Sequence, residues 1–353
     1  PYTTLFRSPS SYNRPGDKIS SSISFNTTII NSEKPILISL SGGVDSMVCS
    51  FLIKQLYPNA NITALHICYD NREECDKEVL FLKHWCSHLN IVLYIRTINE
   101  IHRKPCMMYE LRELYESYTR DVRYNCYKSV LESDIPQVIM GHNKDDIVEN
   151  IMTNIAHKNK HDNLYGMSPV SIQDDIMFLR PLLKTSKEQI ISFAENNNIP
   201  YLPNSTPVWS QRGQIRNNVV PVLDKWNNNY IPSLCNLTDN LSSLYKIMQF
   251  AVSQFISKGY FNGDKTIFTI QDVSVKELVY EEVFWKEVFI RLYDIYPSLK
   301  SIDNFMFSFK KFISSSDKQT KTVMISKECI FEMEKIDAVF IDIKVKRVNL
   351  NSI

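Results

Sequence analysis

The sequence predicts an α/β protein, a doubly wound parallel sheet followed by a smaller, mainly helical C-terminal domain. Three observations predict it. From Pro35 to Ala156, short apolar runs alternate with longer amphipathic stretches, the rhythm of a parallel sheet with helices on both faces. A Gly-Gly turn separates the first run from the first helix, and an acidic helix start follows the fourth. In such sheets ligands bind beyond the carboxyl ends of the strands, where both segments fall.

In chain order, the octapeptide Pro1-Tyr-Thr-Thr-Leu-Phe-Arg-Ser8 matches a translated sequencing adapter and is set aside. The stretch to Glu33 is rich in Ser and Asn without periodicity, so residues 1–33 read as a disordered lead-in. Ile36 to Leu40 is a run of buried-strand type, and a helix is expected from Ser46 to Tyr57. A second strand is expected over Ile62–Cys68, a long amphipathic helix over Glu73–Leu89, and a third strand over Ile91–Thr97. A helix over Tyr109–Leu131, a strand over Gln137–Met140 and a helix over Lys144–Ala156 follow. The sheet domain is thus placed at 34–229 and a second domain at 230–353. In the latter, helices are expected over Ile231–Ser257 and Lys276–Tyr296, with strands at Thr266–Ile270 and Ala338–Val345.

At 353 residues the chain has room for one large and one smaller domain. Its 44% hydrophobic and 22% charged residues are ordinary globular values. Forty Lys and Arg against 39 Asp and Glu announce no nucleic-acid partner, so any such footprint must be local. The eight cysteines never come closer than seven residues, which excludes a C-x-x-C zinc or redox pair and points to reduced thiols. No apolar run approaches membrane-spanning length, and no signal-peptide pattern opens the chain. The chain reads as soluble and cytoplasmic, or as an organelle-matrix protein if a targeting segment precedes Pro1.

The first loop reads Ser41-Gly42-Gly43-Val44-Asp45-Ser46. Its glycines let the backbone approach an anion, and amides at a helix N-terminus point at phosphate oxygens. Ser41 and Ser46 add hydroxyl donors. Two glycines alone would be an ordinary turn; the hexapeptide between a buried strand and a helix is far more specific. It is not a Walker A loop, since no G-x-x-x-x-G-K-[ST] occurs. The second loop reads Gly141-His142-Asn143-Lys144-Asp145-Asp146, with Glu149 sharing a face with the two Asp residues. An N-capping Asp explains Asp145, but three acids beside a phosphate loop call for a cation, either Mg²⁺ or a substrate ammonium. His142 beside the anion loop is a candidate phosphate contact.

These segments resemble the tRNA(Ile)-lysidine synthases of the PP-loop (N-type ATP pyrophosphatase) superfamily, whose fold is of the adenine nucleotide alpha hydrolase type. Arg120-Asp-Val-Arg123-Tyr124, Asn163-Leu-Tyr-Gly166-Met167, Arg180-Pro181-Leu182-Leu183 and Arg212-Gly213-x-Ile215-Arg216 carry the resemblance further, over roughly 36–223. The stretch Pro203-Asn204-Ser205-Thr206-Pro207 departs from it, standing where bacterial members have an Asp. His66-Ile-Cys-Tyr-Asp-Asn-Arg72 matches the family's His-rich loop only loosely, and His66 is equally a core histidine at a strand end.

The resemblance implies an ATP- and Mg²⁺-dependent ligase. It adenylates the C2 oxygen of a wobble cytidine, expels pyrophosphate, and then lets a free lysine attack C2 and displace AMP. Its partner would be a tRNA(Ile) with a CAU anticodon. Ser41, Gly42, Gly43, Val44, Asp45, Ser46 and His142 would bind the nucleotide, with Asp45 and Asp145 on the metal. Asp45, Asp146, Glu149, Arg212 and Arg216 would be catalytic. A PP-loop tRNA thiolase making 2-thiocytidine or 2-thiouridine is the alternative, counted against by the missing C-x-x-C; a noncatalytic tRNA-binding relative is a third. Near the C-terminus, Lys310, Lys311, Lys318, Lys321, Lys344, Lys346 and Arg347 accompany Phe305, Phe307, Phe309 and Phe312. They fit either a tRNA-docking module or an amphipathic helix with Phe in its core and Lys outside.

Overall fold

Ile36, Leu37 and Ile38 are completely buried, which requires a central strand covered on both faces. The computed structural model describes residues 23–348 apart from 70–74, 132, 134, 157–165, 204–209, 228, 280 and 316–319. In it these residues form β1 (Ile36–Ser39), flanked on one side by β2 (Ile62–Cys68) and β3 (Val92–Thr97). On the other side lie β4 (Gln137–Ile139) and then β6 (Ile176–Leu179), which pairs with the edge strand β5 (Val170–Gln173). Every pairing is parallel except β5 with β6. Because the chain moves outward from β1 to β3 and then returns to β4, the loops after β1 and β4 leave the same edge side by side. That is a topological switch point, where such sheets leave a crevice.

The period of two along β1 sends Ile36 and Ile38 to one face and Leu37 to the other. Against the first face pack α1 (Val44–Leu56), α2 (Cys75–Leu89) and α6 (Lys187–Asn196), through Met47, Leu52, Leu82, Trp85, Ile190 and Phe193. Against the second packs α4 (Arg112–Leu131), whose Tyr127 is fully buried beside Val138 and Phe178, its hydroxyl 2.9 Å from Ser39 Oγ. The short α3 (Arg103–Met108) precedes α4, and α5 (Lys144–Ala156) follows β4.

Expectation and structure agree for β2 and α5. The helix expected from Tyr109 starts only at Arg112, as α4, because Glu110 takes a left-handed φ of 58° that separates it from α3, a short helix the sequence reading did not include. Residues 23–33, expected as part of a flexible lead-in, instead dock on the first core: Ile23 is buried and the Asn26 amide bonds Pro181 O at 2.9 Å. Their apolar residues, Ile23, Phe25, Ile29 and Ile30, pack against that core around a single 3-10 turn at Thr27–Ile29, which is too short to show a period. The β5–β6 hairpin was not read from the sequence. Its signal is Asp174-Asp175, both with positive φ, a two-residue turn between apolar runs. Residues 1–22 and 204–209 lie outside the described residues, as do Asp70–Glu74, Asn163–Tyr165 and Lys318.

Contacts divide the chain between Thr238 and Asp239, inside α9 (Tyr230–Ser257). The second unit has a five-stranded antiparallel sheet beside its helices, in the order β7 (Tyr260–Phe261), β8 (Ile267–Ser274), β11 (Phe340–Arg347), β10 (Cys329–Lys335), β9 (Thr320–Ser326). Of its strands, β8 and β11 overlap the expected ones; the hairpin β9–β10 was not expected. Two helices, α10 (Glu282–Tyr293) and α11 (Leu299–Ser314), supply Trp285, Phe289, Phe305 and Phe309 to an aromatic core closed by Phe331. Phe305, Phe309 and Phe312 are therefore core residues and Lys310 and Lys311 are exposed, as an amphipathic helix requires. Phe307 alone of the four points outward. On the sheet, Lys346 is paired with Glu332 at 2.7 Å. No described helix is long and apolar enough to cross a membrane.

Candidate active site

The anion loop is held open by its own hydroxyls. Ser46 Oγ accepts the Ser41 amide at 3.2 Å and donates to Gly43 O at 3.0 Å, while Ser41 Oγ accepts the Gly43 amide at 3.3 Å. Ser46 is thus buried and spent on shaping the loop. Val44 turns its side chain into the core and offers only backbone. Gly43 is the N-cap of α1 and supplies no side-chain cap to its first turn, so the dipole's positive end is left for a ligand. Gly42 has φ +85°, and a Cβ there would lie 2.7 Å from Leu202 Cδ1, so both conformation and space demand glycine. Gly141 has a second reason: a Cβ there would lie 3.0 Å from the Asp45 carbonyl carbon and the Ser46 amide. Its lack of a side chain brings the two loops together.

Across this contact runs a hydrogen-bonded chain. Asn143, which the sequence analysis gave no role, caps α5: its Oδ1 accepts the Asp145 amide at 2.9 Å and the Asp146 amide at 3.3 Å. Its Nδ2 donates to Asp45 Oδ1 at 2.9 Å, and its own amide to Asp146 Oδ2 at 3.0 Å. One buried side chain therefore joins the acid of the first loop to those of the second. The N-cap rule, applied to Asn143 rather than to Asp145, gives its capping bonds but not its bond to Asp45, 98 residues away. Asp145 instead accepts the amide of Lys187 at 2.7 Å, and Lys187 Nζ lies 2.6 Å from Asp45 Oδ2. Lys187 was also missed, since one lysine at a helix start carries no local signal.

Asp146 and Glu149 are buried on the inner face of α5. Their partners come from α7 (Gln211–Gln214), which runs through a π-helical turn at Ile215–Val219 into α8 (Val220–Trp226). Such a turn is where a helix is reshaped around a site, and Pro221, without an amide hydrogen, follows it. Arg212 bridges both acids, with Nε 2.6 Å from Glu149 Oε2 and Nη2 bonded to Asp146 Oδ1. Arg216 Nη2 lies 2.5 Å from Glu149 Oε1. The structure brings Asp45, Asp146, Glu149, Arg212 and Arg216 into one network, as the sequence analysis grouped them. Burial raises the Asp146 carboxyl above its ordinary value, against the pull of Arg212 and the Asn143 amide.

His142 accepts a bond from Arg180 Nε at 3.2 Å through Nδ1, which leaves Nε2 as the protonated nitrogen. Burial, then the charges of Arg180, Arg212 and Arg123, push it down to about 3 from its ordinary 6.5. It is a neutral N–H donor ringed by guanidinium groups, the surroundings of an anion. The folded state binds this proton less tightly than the unfolded chain, so the contribution is intact above about 6.5 and lost as pH falls toward about 3. Wild type is expected to lose stability through that window, and His142→Gln to lose less. Chemical denaturation at several pH values checks it; parallel curves would remove His142 as the source. His66, by contrast, is a buried strand residue whose Nδ1 is 2.9 Å from Leu40 O.

An anion loop at a topological switch point, facing buried carboxylates and guanidinium groups, defines a nucleotide-handling α/β domain. The family model described as the PP-loop domain matches residues 18–223, and the chain belongs to that ATP-using family. Among curated relatives, the tRNA(Ile)-lysidine synthase of Mycoplasma mycoides is 28% identical over 71% of this chain and 61% of its own length. That of Mesoplasma florum is 28% identical over 87% of this chain and 80% of its own length. The chain thus spans about three fifths of the Mycoplasma relative, and 52% of the Staphylococcus aureus ones. A solved structure, the U34-tRNA thiolase NcsA from Methanococcus maripaludis with its 4Fe-4S cluster, is 19% identical, with a TM-score of 0.46 over 62% of this chain and 74% of that one.

Proposed function

We propose that the chain adenylates a cytidine of a tRNA and ligates lysine to its C2, the activity named for its curated relatives. The observation that carries this reading is the hydrogen-bonded line from the anion loop through Asp45 and Asn143 to the buried pair Asp146 and Glu149. It supports one site for the nucleotide and one for an amine on the same sheet edge. In the first step the cytidine O2 attacks the α-phosphorus of ATP and the bond to pyrophosphate breaks. The loop amides and the His142 Nε2–H receive the charge on the phosphates. In the second, the lysine amine attacks C2, the bond to AMP breaks, and a carboxylate takes the ammonium proton. Asp146 suits that base, because its raised affinity for protons favours uptake. Arg212, which bridges both acids, and Arg216, which holds Glu149, release toward phosphate or RNA as the amine takes their place.

Among the described residues no three His, Cys, Asp or Glu gather as a resident metal site. Mg²⁺ usually takes one or two carboxylates and completes its shell with phosphates, so a cation arriving on ATP fits Asp45. Asp145, whose Oδ2 holds the Lys187 amide, serves better as the support of that lysine. The cation would neutralise charge on the departing pyrophosphate. The partners we propose are a tRNA(Ile) with a CAU anticodon and free lysine. We assign residues 34–229 to catalysis and 230–353 to tRNA docking, the exposed Lys310 and Lys311 being the surface for phosphates. Free thiols at all eight cysteines support a reducing compartment, the cytoplasm or an organelle matrix.

ATP–pyrophosphate exchange tests the proposal. Exchange should require tRNA, and lysine should convert it into net AMP release with lysine on the RNA. Incorporation of sulfur instead would make the chain a thiolase; tRNA binding without exchange would make it a noncatalytic relative.

A further inference from the structure

We propose that Lys187 is a ligand of the nucleotide phosphates that rests on Asp45 until ATP arrives, an inference that builds on the nucleotide reading of the loop. Its Nζ lies 2.6 Å from Asp45 Oδ2, and the other oxygen of that carboxylate is taken by Asn143 at 2.9 Å. Both oxygens of the one acid in the anion loop are therefore occupied. A metal cation arriving on a polyphosphate cannot share Oδ2 with an ammonium at that distance, because the two like charges repel. The Asn143 amide group is fixed by its capping bonds to α5, whereas the lysine is free to swing.

The backbone of Lys187 is anchored in the way such a role requires. It is the first residue of α6, behind the N-cap Ser186, whose side chain and that of Gln189 form a reciprocal capping box. Its amide is held by Asp145 Oδ2 at 2.7 Å. The Cα is thus pinned by three contacts while the four-carbon stem keeps its rotamers. Both charged groups remain partly open to solvent, with side-chain exposures of 32% for Lys187 and 24% for Asp45, and a pair in that setting is weak and easily exchanged. Once displaced, the ammonium stays within one side-chain length of the loop. A phosphate oxygen there offers it a stronger charge-assisted partner than the carboxylate it left. Lys187 then balances Asp45 in the empty site and the polyphosphate in the filled one.

The test measures binding and needs no turnover. Wild type, Lys187→Met, Lys187→Gln and Lys187→Arg would be titrated with metal-free ATP by calorimetry and with Mn²⁺ alone by electron paramagnetic resonance. Both neutral variants should bind metal-free ATP at least about tenfold more weakly, through loss of a charge-assisted phosphate bond. They should bind Mn²⁺ alone more tightly, because no ammonium competes for Asp45. Lys187→Arg should stay within about threefold of wild type for ATP, since charge and reach are kept, and melting curves check that all four fold alike. Unchanged ATP affinity, or unchanged Mn²⁺ affinity, in the neutral variants overturns the proposal and leaves Lys187 as a structural partner of Asp45. Failure of wild type to bind ATP would instead strike the nucleotide reading itself, and this inference with it.

Discussion

Gly43→Val should abolish ATP binding while leaving the melting temperature of the free protein nearly unchanged. The fold tolerates a side chain there: Gly43 has φ −70° and ψ 156°, and a Cβ would meet only Ser41 Oγ, at 3.5 Å. What the branched side chain fills is the mouth of α1, where the first-turn amides have no side-chain cap. Wild type should gain roughly 2–3 kcal/mol of stability at ATP a hundredfold above its dissociation constant, and the variant none. Gly42→Ala is the contrasting control. A φ of +85° and the 2.7 Å approach of Leu202 make it a folding defect, with a lower melting temperature even without nucleotide. An undiminished ATP shift in Gly43→Val would mean that the nucleotide binds elsewhere.

Glu149→Gln carries the second large effect, and it is double. Turnover with lysine should fall at least about a hundredfold, the scale of a lost acid–base group. Stability should fall as well, by about 1–3 kcal/mol, because Glu149 receives both Arg212 and Arg216. The loss stays below the ~3–5 kcal/mol of a fully buried pair since the guanidinium groups reach solvent. Asp146→Asn separates the two effects. An amide oxygen can still accept the Asn143 amide, and Arg212 loses one partner but keeps Glu149, so stability should fall less than in Glu149→Gln while lysine transfer is lost. Near-wild-type turnover in Asp146→Asn would remove that residue from the chemistry, and an unaltered melting temperature in Glu149→Gln would deny that it anchors α7.

The parts of this molecule written in short runs of residues were open to reading. Ile36–Ser39 had to be a strand buried on both sides because an apolar run without alternation has no polar face to turn to water. The Gly42-Gly43 loop and the acidic start of α5 declared themselves by residue type and spacing, and the rhythm of runs implied that both lie on one sheet edge. Long-range pairing had no such signature. Glu149 and Arg216 are 67 residues apart, and Asp45 and Lys187 are 142 apart. A carboxylate's partner depends on which strands become neighbours, and insertion of β4 on the far side of β1 decided that here. Asn143 and Lys187 were overlooked for the same reason: each is an unremarkable residue at a helix start until folding sets another loop within hydrogen-bond reach. Local pattern determined the elements and the candidate acids. Which cation each acid holds follows from the packing of helices onto the sheet, because electrostatic partners are chosen by distance in space and not along the chain.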